Sequence, residues 1–194
     1  KLLSIFLSLV LSISVLGVCN ISFAAQTTDI EPTKIINSSA YYSFDANTKT
    51  LTISGKGRTP NFTNSSGDTT SQPWFYWRSD GSIEHIVVED GITSLGNYFF
   101  YGVSCTDIKL ADSIESIGGY AFSGAQIEHI KLPDKLKYIN NDAFYFCDNL
   151  KEIVFPKSIS SIGTSAFENC SVLSKVNFKA MGNELTISSR AFFK

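Results

Sequence analysis

The chain has 194 residues, of which 43% are hydrophobic and 18% charged, and its formal net charge is −2. This length and apolar content are sufficient for one globular domain with a real core. The 16 basic and 18 acidic residues are nearly balanced and form no basic stripe, which argues against a nucleic-acid-binding domain.

Residues 1–24 have the pattern of a secretory signal peptide. Lys1 precedes an apolar run, Leu2–Val18, and Ser22 and Ala24 supply the small residues that usually precede a cleavage site. We therefore predict cleavage after Ala24. An uncleaved membrane anchor is the alternative, but the apolar run is shorter than the ~20 residues that span a bilayer. We expect no membrane span in the mature part of the chain.

Residues 25–82 are predicted to form a linker and a small β cap. Tyr41–Phe44 and Thr50–Ser54 are strand candidates joined by a turn-rich stretch, which predicts a hairpin. A polar run, residues 59–72, is predicted to be a loop. The aromatic cluster at 73–77 is expected to pack in the cap, because the first coil of a solenoid otherwise exposes apolar edge. A sugar-stacking platform is the alternative for these aromatic side chains.

Residues 83–194 contain an internal repeat of about 22 residues, which indicates a solenoid of stacked coils. The phenylalanine column is Phe100, Phe122, Phe144, Phe167 and Phe192. Two further apolar columns in phase with it are Ile86, Ile108, Ile130, Ile153 and Val176, and Leu95, Ile117, Ile139, Ile162 and Ile187. Because no unit can bury these residues alone, successive units must stack and form internal apolar columns.

The repeat unit predicts three local structures. L-x-x-I-x-L-P predicts a short strand that ends at proline, which lacks the N–H of a continuing ladder. The glycine column at 96, 118 and 163 is expected to adopt a backbone angle that other residues disfavour. The A-F pair lies in a span long enough for about one helical turn. Together these predict an α/β solenoid of short parallel strands, turns and one-turn helices.

The units resemble the BspA-like (treponemal-type) leucine-rich repeat family of secreted and cell-surface proteins. The resemblance rests on L-x-x-I-x-L-P, S-I-x-x-I-G and A-F-x-x-C, found here at 150–156, 158–163 and 166–170. It covers residues 83–194 as five units, the last one truncated, and it implies a leucine-rich repeat solenoid behind a β-hairpin N-terminal cap. The truncation leads us to expect further repeats or another module after Lys194.

The cysteines point to packing and not to chemistry. Cys147 and Cys170 share a repeat column with Val103 and Ala125, which predicts small apolar fillers. A disulfide between adjacent coils is the alternative in an oxidising compartment. No cysteine spacing predicts a metal site, and no serine lies in a G-x-S-x-G elbow. We therefore predict no cofactor, no metal and no enzymatic activity.

The remaining candidate site is the outward side of the strands, which we call the strand face. Its predicted partner-binding residues are Glu84, His85, Val87, Asp107, Lys109, Glu128, His129, Lys131, Lys151, Glu152 and Val154. His85 and His129 share one slot with Asp107 between them. This row is expected to be a solvated polar ladder. A weak metal site or a pH-sensitive patch is the alternative, but its ligands would be spread one and two strands apart.

The resemblance implies a non-enzymatic module that is secreted or attached to the cell surface after signal-peptide cleavage. We expect it to bind an extracellular protein or peptide, such as a host matrix protein or another cell surface. The alternative is an accessory binding domain of a larger secreted enzyme whose catalytic module lies downstream. A structural spacer is a third hypothesis.

Overall fold

The computed structural model describes residues 29–63, 72–180 and 184–194. The predicted signal peptide and most of the predicted polar loop lie outside the described residues. The described part forms thirteen strands and one three-residue 3-10 helix, Phe75–Trp77. The strands are β1 (Ile30–Lys34), β2 (Ala40–Asp45), β3 (Thr50–Gly55), β4 (Gly57–Arg58), β5 (His85–Val88), β6 (Ile92–Leu95), β7 (Asp107–Lys109), β8 (Ser116–Ile117), β9 (Tyr138–Ile139), β10 (Glu152–Phe155), β11 (Ser161–Ile162), β12 (Lys175–Phe178) and β13 (Thr186–Ile187).

The predicted hairpin is confirmed as β2 and β3, which pair antiparallel from Ala40↔Gly55 to Asp45↔Thr50. The Asp45 carboxylate accepts hydrogen bonds from the backbone N–H groups of Asn47 (2.8 Å) and Thr48 (3.1 Å), which fixes the turn. Strand β1, which was not predicted, adds an outer antiparallel strand to β2. Strand β3 then pairs parallel with β5, so the hairpin continues directly into the first repeat.

Trp74 and Trp77 of the aromatic cluster pack in the cap, as predicted. Trp74 is completely buried, with its ring 5.0 Å from Phe99, 5.8 Å from Phe100 and 6.0 Å from Tyr42 between centroids. A buried Trp74 is unavailable for sugar stacking. The start of the predicted loop is also part of the cap: the Thr59 hydroxyl accepts a hydrogen bond from the Gly96 N–H at 2.8 Å.

The short strands of the repeat region lie in two ladders. Strands β4, β6, β8, β9, β11 and β13 form one continuous parallel sheet along the solenoid. The other ladder belongs to the strand face and contains β5, β7, β10 and β12. Between the ladders, the five phenylalanines stack in one column with centroid distances of 5.5, 5.1, 4.9 and 5.3 Å. The predicted phenylalanine column is therefore confirmed.

The prediction of one-turn helices, and with it the α/β class, is wrong. The A-F segments are turns, and the described repeat residues contain no helix. In each coil the residue before this pair has a left-handed backbone, with φ of 56–58° at Tyr98, Tyr120, Asp142, Ser165 and Arg190. A left-handed residue ends a right-handed helical path, so the A-F pair reverses the chain without forming a helix. The fold is a β-solenoid.

The reason predicted for the glycine column is also wrong. Gly118 and Gly163 do not have positive φ angles. Instead, a Cβ on Gly118 would lie 2.5 Å from the Gly96 carbonyl carbon, and one on Gly163 would lie 2.6 Å from the Asn140 carbonyl carbon. Glycine is needed because consecutive backbones approach too closely for a side chain.

Candidate functional site

All eleven predicted strand-face residues are exposed or half-buried, and none is buried. Those that lie within β5, β7 and β10 alternate with the buried column that includes Ile86, Ile108 and Ile153. This alternation has the period of two that a pleated strand imposes. The predicted residues therefore form one continuous outer surface along four consecutive repeats.

Several charges on this surface are already paired between neighbouring repeats. The Lys151 ammonium lies 2.6 Å from the Glu128 carboxylate, and Lys49 of the cap pairs with Glu84. These hydrogen-bonded lysines hold the pKa of each glutamate carboxyl below its usual range. At neutral pH both carboxylates are thus charged and partnered within the chain.

Lys109 and Lys131 differ from these paired residues. They occupy equivalent positions in adjacent repeats, both are exposed, and neither makes an ion pair within the described part of the chain. Asp134, whose carboxyl pKa is lowered mainly by Lys179 and less by Lys131, is ion-paired with Lys179 at 2.5 Å. Two ammonium groups therefore remain available to a partner at the centre of the strand face.

The strand-face ladder is interrupted, contrary to the expected continuous row. Strand β7 pairs only with β5, and β10 pairs only with β12 among the described strands. Residues 127–132, which lie between them, form no strand. His85 and Glu152 thus face Asp107 and Lys175 in register, but His129 has no ladder partner. Among the described residues, no group of three or more His, Cys, Asp or Glu side chains is arranged to hold a metal.

Two clefts border the interruption. The larger, of about 640 Å³, lies on the β7 side and is lined by Ile108, Leu110, Pro133 and both unpaired lysines. The smaller, of about 380 Å³, lies on the β10 side and is lined by His129, Lys131, Glu152 and Val154 among others. Lys131 borders both clefts, so it lies at the centre of the opened surface.

The interruption was not predicted, and the local sequence gives little signal for it. Residues 83–86 and 127–130 are the same tetrapeptide, Ile-Glu-His-Ile, yet only the first leads into a paired strand. A closed ladder would place Lys131 directly opposite Lys109, and like charges at such positions are destabilising. This cross-strand pair is the one sequence feature that could have indicated the gap.

The three described cysteines are free and buried. The Cys147 thiol lies 3.0 Å from the Phe122 carbonyl oxygen, and the Cys170 thiol lies 3.1 Å from that of Phe144. Burial raises the pKa of Cys147 and raises that of Cys105 to about 12. The hydrogen bond with Cys147 lowers the pKa of the Cys170 thiol. Cys105 and Cys147 therefore stay protonated at neutral pH, in keeping with the predicted filler role, and the three thiols are not bridged in the described part of the chain.

A second surface, the turn face, is formed by side chains on left-handed turn residues, among them Tyr98, Tyr120 and Phe146. The rings of Tyr98 and Tyr120 stack at 4.8 Å with an interplanar angle of 3°. Burial, followed by a hydrogen bond with Asp142, raises the pKa of Tyr120 to about 12. One face of each ring is covered by the other ring, so the pair joins two repeats.

Comparison with known proteins decides the family. Residues 70–194 match the family model described as the BspA type leucine rich repeat region, in six copies. The chain belongs to this family. The match covers well over half of this BspA-type repeat protein and confirms the resemblance drawn from its motifs.

Solved structures agree with this fold. A leucine-rich repeat protein from Eubacterium ventriosum ATCC 27560 is 24% identical, with a TM-score of 0.58 over 80% of this chain and 44% of that chain. A leucine rich cell surface protein from Faecalibacterium prausnitzii A2-165 is 22% identical, with a TM-score of 0.51 over 84% of this chain and 46% of that chain. The chain thus spans less than half the length of either. No curated protein matches it.

Leucine-rich repeat domains generally act as non-catalytic modules that bind proteins. The described part of this repeat protein includes no helix with the length and apolar character needed to cross a bilayer.

Proposed function

We propose that this BspA-type repeat protein is a secreted or cell-surface module that binds an extracellular protein or peptide through its strand face. The observation that carries the proposal is the pair of exposed lysines, Lys109 and Lys131, which make no ion pair within the described residues and lie beside two clefts of the strand face. The family and the cell-surface description of the similar F. prausnitzii protein support an extracellular location.

The charge pattern of the strand face favours a protein partner. The face combines acidic, basic and apolar side chains, including Val154, which is 41% exposed. Mixed charges give specificity to protein interfaces, whereas a polyanion would require a continuous basic surface. Repetition along the solenoid also allows several weak contacts to act together, which is the basis of adhesion by multivalent binding.

The state of the ionisable groups supports a non-enzymatic role. Cys105 and Cys147 are buried with raised pKa values, so they are poor nucleophiles. Glu84 and Glu128 have lowered pKa values because of their lysine partners, so they are poor proton donors at neutral pH. We assign these groups to packing and to ion pairs between repeats.

Charge reversal on the strand face tests the proposal. The full chain carrying Lys109→Glu and Lys131→Glu is compared with wild type for capture by immobilised matrix proteins and by whole cells. We expect capture to fall about tenfold, because charge complementarity with the partner is reversed. The melting temperature should stay nearly constant, since both lysines are exposed and unpaired.

A charge-matched control separates a local effect from net charge. Lys135 and Lys157 are also exposed, but they lie in the turns that follow the strand-face segments of their coils. Lys135→Glu with Lys157→Glu changes the net charge equally and should leave capture nearly unchanged. Equal losses in both double variants, or no loss in either, would remove the strand face as the binding surface.

A further inference from the structure

The outer side of the continuous sheet, formed by β4, β6, β8, β9, β11 and β13, is a further exposed surface of the solenoid. The inward residues of its strands, such as Ile117 and Ile139, are buried in the core, so their strand neighbours point to the outside. Because adjacent strands lie about 4.8 Å apart, these neighbours present hydroxyl groups at short, regular intervals. They form one in-register row of Ser94, Ser116, Tyr138, Ser161 and Thr186.

Tyr138 is the one aromatic side chain of this row, and its ring is open to solvent. It is 49% exposed, and its in-register neighbours on both sides are the small residues Ser116 and Ser161. Within the described chain no other ring stacks on it, whereas Tyr98 and Tyr120 stack on each other on the turn face. The sheet therefore holds an accessible aromatic ring between two serine hydroxyl groups.

An ion pair lies beside this ring. Glu115 and Lys137 directly precede Ser116 and Tyr138 on neighbouring coils, and their charged groups are 2.8 Å apart. The hydrogen-bonded lysine lowers the pKa of the Glu115 carboxyl, and the carboxylate raises the pKa of Lys137, so both groups are charged at neutral pH. Both side chains are about half exposed, so further carboxylate lone pairs and ammonium N–H groups are accessible to a ligand.

The charge and composition of this surface favour a neutral sugar. The two charges beside Tyr138 compensate each other, so a charged ligand gains little there. A protein interface has an apolar core of several side chains, whereas Tyr138 is a single ring among hydroxyl groups. A pyranose has an apolar C–H face and a rim of hydroxyl groups, and this combination matches one aromatic ring with a few polar groups around it.

We propose that the surface around Tyr138 binds a neutral oligosaccharide. One pyranose unit packs its C–H face on the Tyr138 ring and bonds through its hydroxyl groups to the ion pair of Glu115 and Lys137. Adjoining units along the row bond to the Ser116 and Ser161 hydroxyl groups on the neighbouring strands. This inference goes beyond the proposed function, because it assigns a different class of ligand to a surface other than the strand face.

A glycan array tests the class of ligand. The full chain is applied to printed hexasaccharides of glucose, galactose, mannose and N-acetylglucosamine, together with sulfated and sialylated glycans. We expect binding to at least one neutral hexasaccharide, whose dissociation constant is then measured by titration with the free sugar. Binding to charged glycans only, or to no glycan, would overturn the inference.

Substitution of the ring tests the position of the site. Tyr138→Ala should weaken binding of this sugar about tenfold or more because the stacking surface is lost, and Tyr138→Phe should recover most of the affinity because the ring is kept. Tyr41→Ala is the matched control, since Tyr41 is 39% exposed but lies in the cap, and it should bind normally. Equal affinities of Tyr138→Ala and wild type would overturn the inference.

Covering the ring is a test that leaves Tyr138 in place. Ser161→Tyr puts a second ring in register beside Tyr138, and the two rings should stack as Tyr98 and Tyr120 do. We expect sugar binding to fall about tenfold, because the stacked ring occupies the place of the sugar. The melting temperature should change little, since position 161 lies on the outer side of the sheet. An unchanged affinity in this folded variant would contradict stacking on Tyr138.

Discussion

The phenylalanine column provides a direct test of how the solenoid is stabilised, through replacement of Phe144 by alanine. Phe144 is completely buried, and its ring stacks on Phe122 at 5.1 Å and on Phe167 at 4.9 Å. Truncating a buried phenylalanine costs about 3–5 kcal/mol, because apolar contacts are lost and a cavity remains. The two ring contacts add to this cost, so we expect a value of about 4–5 kcal/mol.

The same repeat contains a matched control, Phe146. Its side chain is 45% exposed and makes an edge contact with Tyr145 at 4.6 Å. Phe146→Ala should therefore cost less than about 1 kcal/mol. Urea denaturation of the full chain, followed by circular dichroism, measures both free energies of unfolding. Similar losses in the two variants, or a loss below about 1.5 kcal/mol for Phe144→Ala, would refute a continuous phenylalanine column as the main source of stability.

Three further substitutions test other parts of the structure. Gly118→Ala should destabilise the chain by more than about 2 kcal/mol in urea denaturation, because its Cβ would clash with the neighbouring backbone. The control is Gly124→Ala, where the nearest atom is 3.9 Å away but φ is +69°, and it should cost only about 1 kcal/mol. An equal cost for the two variants would contradict the clash at Gly118. Cys147→Ala should be tolerated at about 1 kcal/mol or less, since alanine occurs in the same column. In native wild type the Cys147 thiol should resist alkylation at pH 8, as followed by peptide mapping, and rapid alkylation of Cys147 would contradict its burial. The pKa of Glu168 is lowered by hydrogen bonds from Arg190 and Ser165, so the folded state binds the proton less tightly than the unfolded state. Its contribution is present above the ordinary glutamate pKa of about 4.3 and is lost as the pH falls through the folded value. The melting temperature of Glu168→Gln should accordingly fall less than that of wild type between pH 5 and pH 3, and equal slopes would contradict this.

The interior of the fold was predictable because the repeat constrains it. Every coil must bury the same apolar columns, so residues at equivalent repeat positions, such as Phe122 and Phe144, predict that successive coils stack. The same columns predict that the residues alternating with them along each strand point outward. The same logic correctly placed all eleven strand-face residues at the surface. Their alternation with buried neighbours is a local property that a single repeat reveals.

Features that depend on contacts between coils were not predictable from one repeat. The left-handed residue before each A-F pair is Tyr, Tyr, Asp, Ser and Arg in successive coils, so no residue type signals it. Gly118 is required by the backbone of the preceding coil and not by its own dihedral angles. The ladder interruption contains the tetrapeptide Ile-Glu-His-Ile that at residues 83–86 leads into a paired strand, so the local sequence does not specify it.

The most direct test of the central claim, that the strand face is the binding surface, is site-specific photo-crosslinking. Val154 on the strand face and Phe146 on the turn face are 41% and 45% exposed and lie eight positions apart, so they offer matched sites for a photoreactive side chain. With wild-type chain bound to a captured matrix protein or cell, we predict that position 154 cross-links to the partner and position 146 does not. Cross-linking from position 146 alone would contradict the account.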